Sequence, residues 1–138
     1  MANYNRNGLH IGKKNILVVD DEPGVVSLIG DYLTIRGYNI YAAFDGKEGF
    51  DVARKIMPDM IILDIMMPRA NGYEMLKRLK EDKKMVSTPV IMLSAKTGDA
   101  DKLKAMELYS ETYITKPFKL DDLREKIETV FKTSGIGL

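Results

Sequence analysis

Five polar residues stand at the ends of short apolar runs, where a buried charge is expensive unless something shares its field. Asp64 closes "MIILD", Asp20 and Asp21 follow "NILVV", Ser94 closes "VIMLS" and Lys116 follows "TYIT". Taken singly, each has an ordinary explanation. Acidic residues before Pro23 complement a helix N-terminus, Ser94 suits a turn, and Lys116 suits a solvated surface. Taken together they are harder to dismiss, because unrelated surface residues have no reason to gather at strand ends. Carboxylates converging without histidine or cysteine prefer a hard divalent ion, Mg²⁺ above all, with Mn²⁺ as a substitute. Lysine is a compact charge suited to a phosphoryl oxygen, and a serine hydroxyl donates to another. A carboxylate can also be the nucleophile that accepts a phosphoryl group. In phosphoryl transfer the protein mainly positions groups and neutralises charge, and these residues include every part that requires.

The elements that must position these residues follow from two alternating patterns. The runs "NILVVD", "NIYAAF", "MIILDI", "PVIMLS" and "TYITKP" are short, apolar or β-branched, and mostly free of polar alternation. That predicts strands of a parallel sheet buried on both faces. Helical spacing fills the gaps. The first helix starts at Pro23, sets Val25, Leu28, Ile29, Tyr32 and Leu33 on one face, and ends at Gly37. The second takes Asp45 as its N-cap, carries Phe50, Ala53 and Ile56, and stops before Pro58. A third follows Asn71 with Tyr73, Leu76 and Leu79, and a fourth carries Ala100, Leu103 and Met106. The last carries Leu120, Leu123, Ile127, Val130 and Phe131. The order is βα repeated five times, an α/β fold with helices on both faces of the sheet. In such sheets ligands bind beyond the C-terminal strand ends, where the five polar residues fall.

Bulk properties narrow the class. The chain has 138 residues, 45% hydrophobic and 30% charged, which suits one ordinary domain. Lysine plus arginine number 21 and aspartate plus glutamate 20, a formal charge of +1. Such a balance gives no support for direct nucleic-acid or membrane-surface binding. The absence of cysteine excludes thiolate metal sites and disulfides. No apolar run approaches the roughly 20 residues that span a bilayer, and the N-terminus lacks a signal-peptide core. A soluble cytoplasmic protein is the expectation. Residues 1–13, which include His10, read as a flexible tail, and 133–138 as a C-terminal tail or the start of a linker. The nine methionines fall mostly at core positions, where they fill gaps.

The motifs "ILVVDDEP", "IILDIMMPRANGYE", "VIMLSAK" and "YITKPF", in that order, resemble the CheY-like receiver domain of two-component response regulators. The resemblance runs from about Asn15 to Phe131 and places the domain at 14–132. It implies a flavodoxin-like three-layer sandwich with a five-stranded parallel sheet in the order 2-1-3-4-5. It makes Asp64 the phosphoacceptor, Asp21 a direct Mg²⁺ ligand and Asp20 a ligand acting more through water. The backbone carbonyl of Met66 supplies a further metal ligand. Ser94 and Lys116 grip the phosphoryl group, the Lys116–Pro117 bond is cis, and Tyr113 is an aromatic switch coupled to Ser94. Met66 and Lys96 flank the path of the water that ends the phosphorylated state.

The implied activity is a switch. A histidine kinase or phosphotransfer protein donates its phosphoryl group to Asp64. Ser94 and Tyr113 then move, and the face made by the fourth helix, fifth strand and last helix signals to a protein target or a fused effector domain. Phosphorylation-dependent dimerisation through that face is compatible with this reading. Such a domain is no enzyme beyond its own phosphotransfer and slow autodephosphorylation. Two other classes compete. A degenerate receiver would act as a constitutive interaction module, which the complete acidic set with Ser94 and Lys116 argues against. An aspartate-nucleophile phosphatase would carry a general acid two residues after Asp64, where Met66 stands.

Overall fold

Parallel strands β1 (Asn15–Val19), β2 (Asn39–Ala43), β3 (Met60–Asp64), β4 (Val90–Ala95) and β5 (Thr112–Lys116) form one sheet in the order β2-β1-β3-β4-β5. A computed structural model of the chain describes residues 13–65, 67, 72–95 and 112–133. The helices among them are α1 (Pro23–Ile35), α2 (Gly46–Ile56), α3 (Gly72–Glu81) and α4 (Leu120–Thr133). The helix expected around Ala100, Leu103 and Met106 lies outside the described residues, as do Met66, Lys96 and the N-terminal tail through residue 12. Among the described residues, no helix is long and apolar enough to cross a membrane.

Two cores sandwich the sheet. Leu17, Val19, Leu63 and Met92 pack on one face against Phe50 and Ala53 of α2 and Met75, Leu76 and Leu79 of α3. Ile16, Val18, Ile62 and Leu93 pack on the other against Val26, Ile29 and Leu33 of α1 and Leu123, Ile127 and Phe131 of α4. Side chains alternate across a strand, so each inner strand must be apolar at every position to serve both layers. β3 meets that demand from Met60 to Leu63, and all five of its residues, Asp64 included, are buried.

The expectation of burial on both faces fails for β2, where Asn39, Tyr41 and Ala42 are exposed. It is an edge strand, hydrogen-bonded only to β1, and its outer positions have no layer to cover them. The expected face of α1 also needs correction. Val26, Ile29 and Leu33 are buried, whereas Leu28 is 59% exposed. At 3.6 residues per turn Leu28 projects about 200° from Val26, so the two cannot share a face. Val25 and Tyr32 lie at the flank, partly buried.

The expected caps are present. α1 begins with Pro23 in its first turn, and Gly37 beyond its end takes φ +97°, a region open to glycine. Asp45 caps α2, its side chain accepting from the Glu48 N–H at 2.7 Å. Asp45→Ala should lower stability by about 1 kcal/mol and Asp45→Ser by less, both measurable by urea denaturation.

A polar latch that the hydrophobic pattern does not reveal ties α1 to α4. The Tyr32 hydroxyl donates to the Asp121 carboxylate and accepts from Arg124 Nε at 3.3 Å. The Arg36 guanidinium lies 3.5 Å from the Tyr32 ring centroid. The hydrogen bond from Tyr32 holds the Asp121 carboxyl below the usual carboxylate range.

Candidate functional site

Strand order explains how distant residues meet. β1 and β3 are neighbours, so the residue after β1 and the last residue of β3, Asp20 and Asp64, come together at one sheet edge. Asp20 is fully buried and Asp64 is 4% exposed. Asp21, the next residue along, is exposed. Carboxylate oxygens of all three lie within 4.8 Å of one another. Such a group of like charges is unfavourable without a cation.

Lys116 supplies one. It ends β5, two strands away from β3, and only a long side chain spans that distance. Its ammonium donates to Asp20 Oδ2 at 2.9 Å and to Asp64 Oδ2 at 3.0 Å, with Glu22 Oε1 at 3.9 Å. Burial alone would push the ammonium pKa down. The hydrogen bonds and charges of Asp20 and Asp64 outweigh burial, and the pKa is raised. Asp20 is anchored from its other side, its Oδ1 accepting from the Glu22 N–H at 3.0 Å.

A single lysine facing a carboxylate triad leaves net negative charge at the edge. All of the triad's donors are hard oxygens, and the set lacks histidine and cysteine, so it fits Mg²⁺ rather than a softer metal.

Asp20, Asp21, Asp64 and Lys116 thus form one cluster. Ser94 is 2% exposed and is the penultimate residue of β4, directly after Leu93, the register partner of Asp64. Tyr113 pairs with Met92, and Thr115 with Ser94, so alternation puts Tyr113 on the same sheet face as Ser94. Tyr113 is turned outward, 47% exposed. The Lys116–Pro117 peptide bond is cis. Met66 and Lys96 are outside the described residues.

Two further residues neighbour the cluster beyond its five polar members. Glu22 reaches the rim of the Lys116 ammonium, and its place in "DDEP", directly after the acidic pair, is the sequence signal for it. Gly72 opens α3, and a Cβ built on it would lie 2.2 Å from the Asp64 carbonyl oxygen. No sequence pattern announces that contact.

Residues 16–128 match the family model of the response regulator receiver domain. The chain is 38% identical over 124 residues to the alkaline phosphatase synthesis transcriptional regulatory protein PhoP of Bacillus subtilis (strain 168), covering 90% of this chain and 51% of that protein. It is 32% identical over 117 residues to the DNA-binding dual master transcriptional regulator RpaA of a Synechocystis species, covering 85% and 48%. The chain therefore spans about half the length of the curated relatives it matches. Among solved structures, the chemotaxis response regulator CheY4 of Vibrio cholerae superposes with a TM-score of 0.78 at 28% identity, covering 86% of this chain and 98% of that one.

Proposed function

This chain belongs to the response regulator receiver domain family, a class of phosphoacceptor signalling modules rather than enzymes, and we propose from that membership that Asp64 accepts a phosphoryl group from a phosphohistidine. The observation that carries the proposal is the double hydrogen bond of Lys116 to Asp20 and Asp64 beside the exposed Asp21 carboxylate. It supports the reading by holding a carboxylate, a cation and a set of hard oxygen donors together at one edge of the sheet.

Mg²⁺, or Mn²⁺ as a substitute, would supply charge neutralisation for the phosphoryl oxygens when bound. Asp20, Asp21 and Asp64 would hold it, with the backbone carbonyl of Met66 as the further ligand that the family resemblance implies. The Asp64 carboxylate attacks phosphorus, a phosphorus–oxygen bond forms, and the phosphorus–nitrogen bond to the donor imidazole breaks. Lys116 turns its ammonium from the carboxylate to the new phosphoryl oxygens, which bring a charge near −2. Ser94, one strand away, donates its hydroxyl to the same group. Movement of Ser94 opens space on the face it shares with Tyr113, and the exposed ring rotates inward. That shift biases a pre-existing equilibrium of the β5 and α4 surface. Met66 and Lys96 set how long the acyl phosphate survives.

Residues 14–132 form the phosphorylatable unit in this reading, and a histidine kinase or phosphotransfer protein is its donor. The relatives named transcriptional regulators support an output to gene expression through an effector segment or a protein target. The test is intact-mass spectrometry of the chain incubated with acetyl phosphate. Uptake of one phosphoryl group in Mg²⁺, blocked by EDTA, is the expected result. A chain whose mass never changes in Mg²⁺ or Mn²⁺ would not be a phosphoacceptor.

A further inference from the structure

We infer that Gly72 is a positioning residue for the Asp64 carboxylate, its bare Cα letting the first turn of α3 rest directly on the Asp64–Ile65 peptide. The inference rests on the reading of Asp64 as phosphoacceptor. A Cβ at Gly72 would meet the Asp64 carbonyl oxygen at 2.2 Å, the Ile65 Cα at 2.9 Å and the Asp64 carbonyl carbon at 3.1 Å. Ordinary carbon contacts begin near 3.5 Å, so a methyl group there demands a shift of about 1 Å. The obstructing atoms are backbone and cannot rotate away. At Gly49 the nearest atom is instead Met75 Sδ, part of a flexible side chain, at 2.8 Å.

Neither partner of the Gly72 contact yields easily. β3 is hydrogen-bonded to β1 and β4, and the Ile65 N–H continues that pairing to Leu93 O at 3.3 Å. α3 is held by Met75, Leu76 and Leu79 in the core. Backbone conformation gives no reason for glycine here, because positive φ among the described glycines occurs at Gly37. Helix propensity favours alanine over glycine. Glycine is thus explained by close approach alone, and the approach is to the peptide that carries the reacting side chain. With the contact intact, the Asp64 carboxylate stands 3.0 Å from Lys116 and within reach of Asp20 and Asp21. Displacing that peptide disturbs all three relations together.

The decisive comparison is Gly72→Ala with Leu79→Val, a core substitution towards the other end of α3 that loosens the same helix away from the site. Thermal melting measures the stability each loses. Mg²⁺ affinity is then titrated by NMR, and phosphoryl uptake from acetyl phosphate is timed at saturating Mg²⁺. Gly72→Ala should weaken Mg²⁺ binding several-fold and slow uptake at least tenfold, while Leu79→Val keeps wild-type values of both. Equal Mg²⁺ affinity and equal uptake in Gly72→Ala and wild type overturn the inference. So does a matching decline in Leu79→Val, which would assign the effect to stability. If Gly72→Ala does not fold, wild-type protein decides. Addition of Mg²⁺ and then beryllofluoride should move the Gly72 amide resonance together with that of Ile65, and a stationary Gly72 refutes the coupling. Wild type that never takes up a phosphoryl group defeats the phosphoacceptor reading instead, and the Mg²⁺ titration still tests the positioning role.

Discussion

Asp64→Asn should take up no phosphoryl group from acetyl phosphate in Mg²⁺, whereas wild type should. The substitution keeps the size and shape of the side chain and removes the proposed nucleophile, because an amide oxygen does not form the acyl phosphate a carboxylate forms. The surroundings favour a folded variant. Asp64 ends a strand whose other four residues are wholly buried, and none of that packing changes. The Asn oxygen can still accept from Lys116, replacing the contact at 3.0 Å. One attractive charge pair is lost, but so is the repulsion between Asp64 and the adjacent Asp20 and Asp21. The net change in stability should stay within about 1 kcal/mol. Intact-mass spectrometry reads uptake and urea denaturation reads stability. Uptake by Asp64→Asn at the wild-type rate would move the phosphoacceptor to another residue.

Much of this arrangement is legible in the sequence because burial on two faces leaves a plain signature. β3 must be apolar at every position, so a carboxylate at its last residue stands out against the run. The same logic locates the ends of β1 and β4, whereas β5, the other edge strand, buries only Ile114. Edge position is not legible in that way. β2 reads as apolar in "NIYAAF", yet its outer positions face water because no strand pairs beyond it. The buried face of α1 is not legible at Leu28 either, because a helix rich in apolar residues fits more than one stripe. Only packing against Ile16 and Val18 selects Val26, Ile29 and Leu33. Gly72 was visible as a helix start, but its approach to Asp64 depends on how α3 is laid across the end of β3.

The site also shows why its residue types cannot be exchanged freely. Asp20 and Asp64 are brought together by adjacent strands, so short side chains suffice. Lys116 acts from a strand that does not touch β3, 52 residues from Asp64 and 96 from Asp20 in sequence. Its reach and its charge are both required. The acidic edge is locally unfavourable for folding, and the surrounding core holds it in place, as is common at functional sites.

Lys116→Met should damage stability and phosphoryl uptake together, and Mg²⁺ should repair only the first. Asp20 is wholly buried and the Asp64 side chain is 6% exposed, while the Lys116 side chain is 24% exposed. Removing one partner of a fully buried pair costs roughly 3–5 kcal/mol. Partial exposure of the ammonium lowers that to about 2 kcal/mol. The pH dependence has a definite sign. The folded pKa of Lys116 is raised, so its stabilisation is complete below the unfolded lysine value of about 10.4. It is lost as pH climbs through the higher folded value. Wild type should therefore lose stability in that alkaline window, and Lys116→Met should lack this loss. Removing the ammonium also removes a repulsion against a divalent cation, so Mg²⁺ should bind the variant more tightly and raise its melting temperature more than that of wild type. Uptake should still fall about a hundredfold at saturating Mg²⁺, because a fixed cation for the developing phosphoryl charge is gone. Lys116→Arg should recover stability better than rate, since a planar fork does not reproduce a compact charge. Melting curves with and without Mg²⁺, set beside timed uptake, check each part. A Lys116→Met protein with wild-type uptake would remove Lys116 from the chemistry and leave it a purely structural counter-ion.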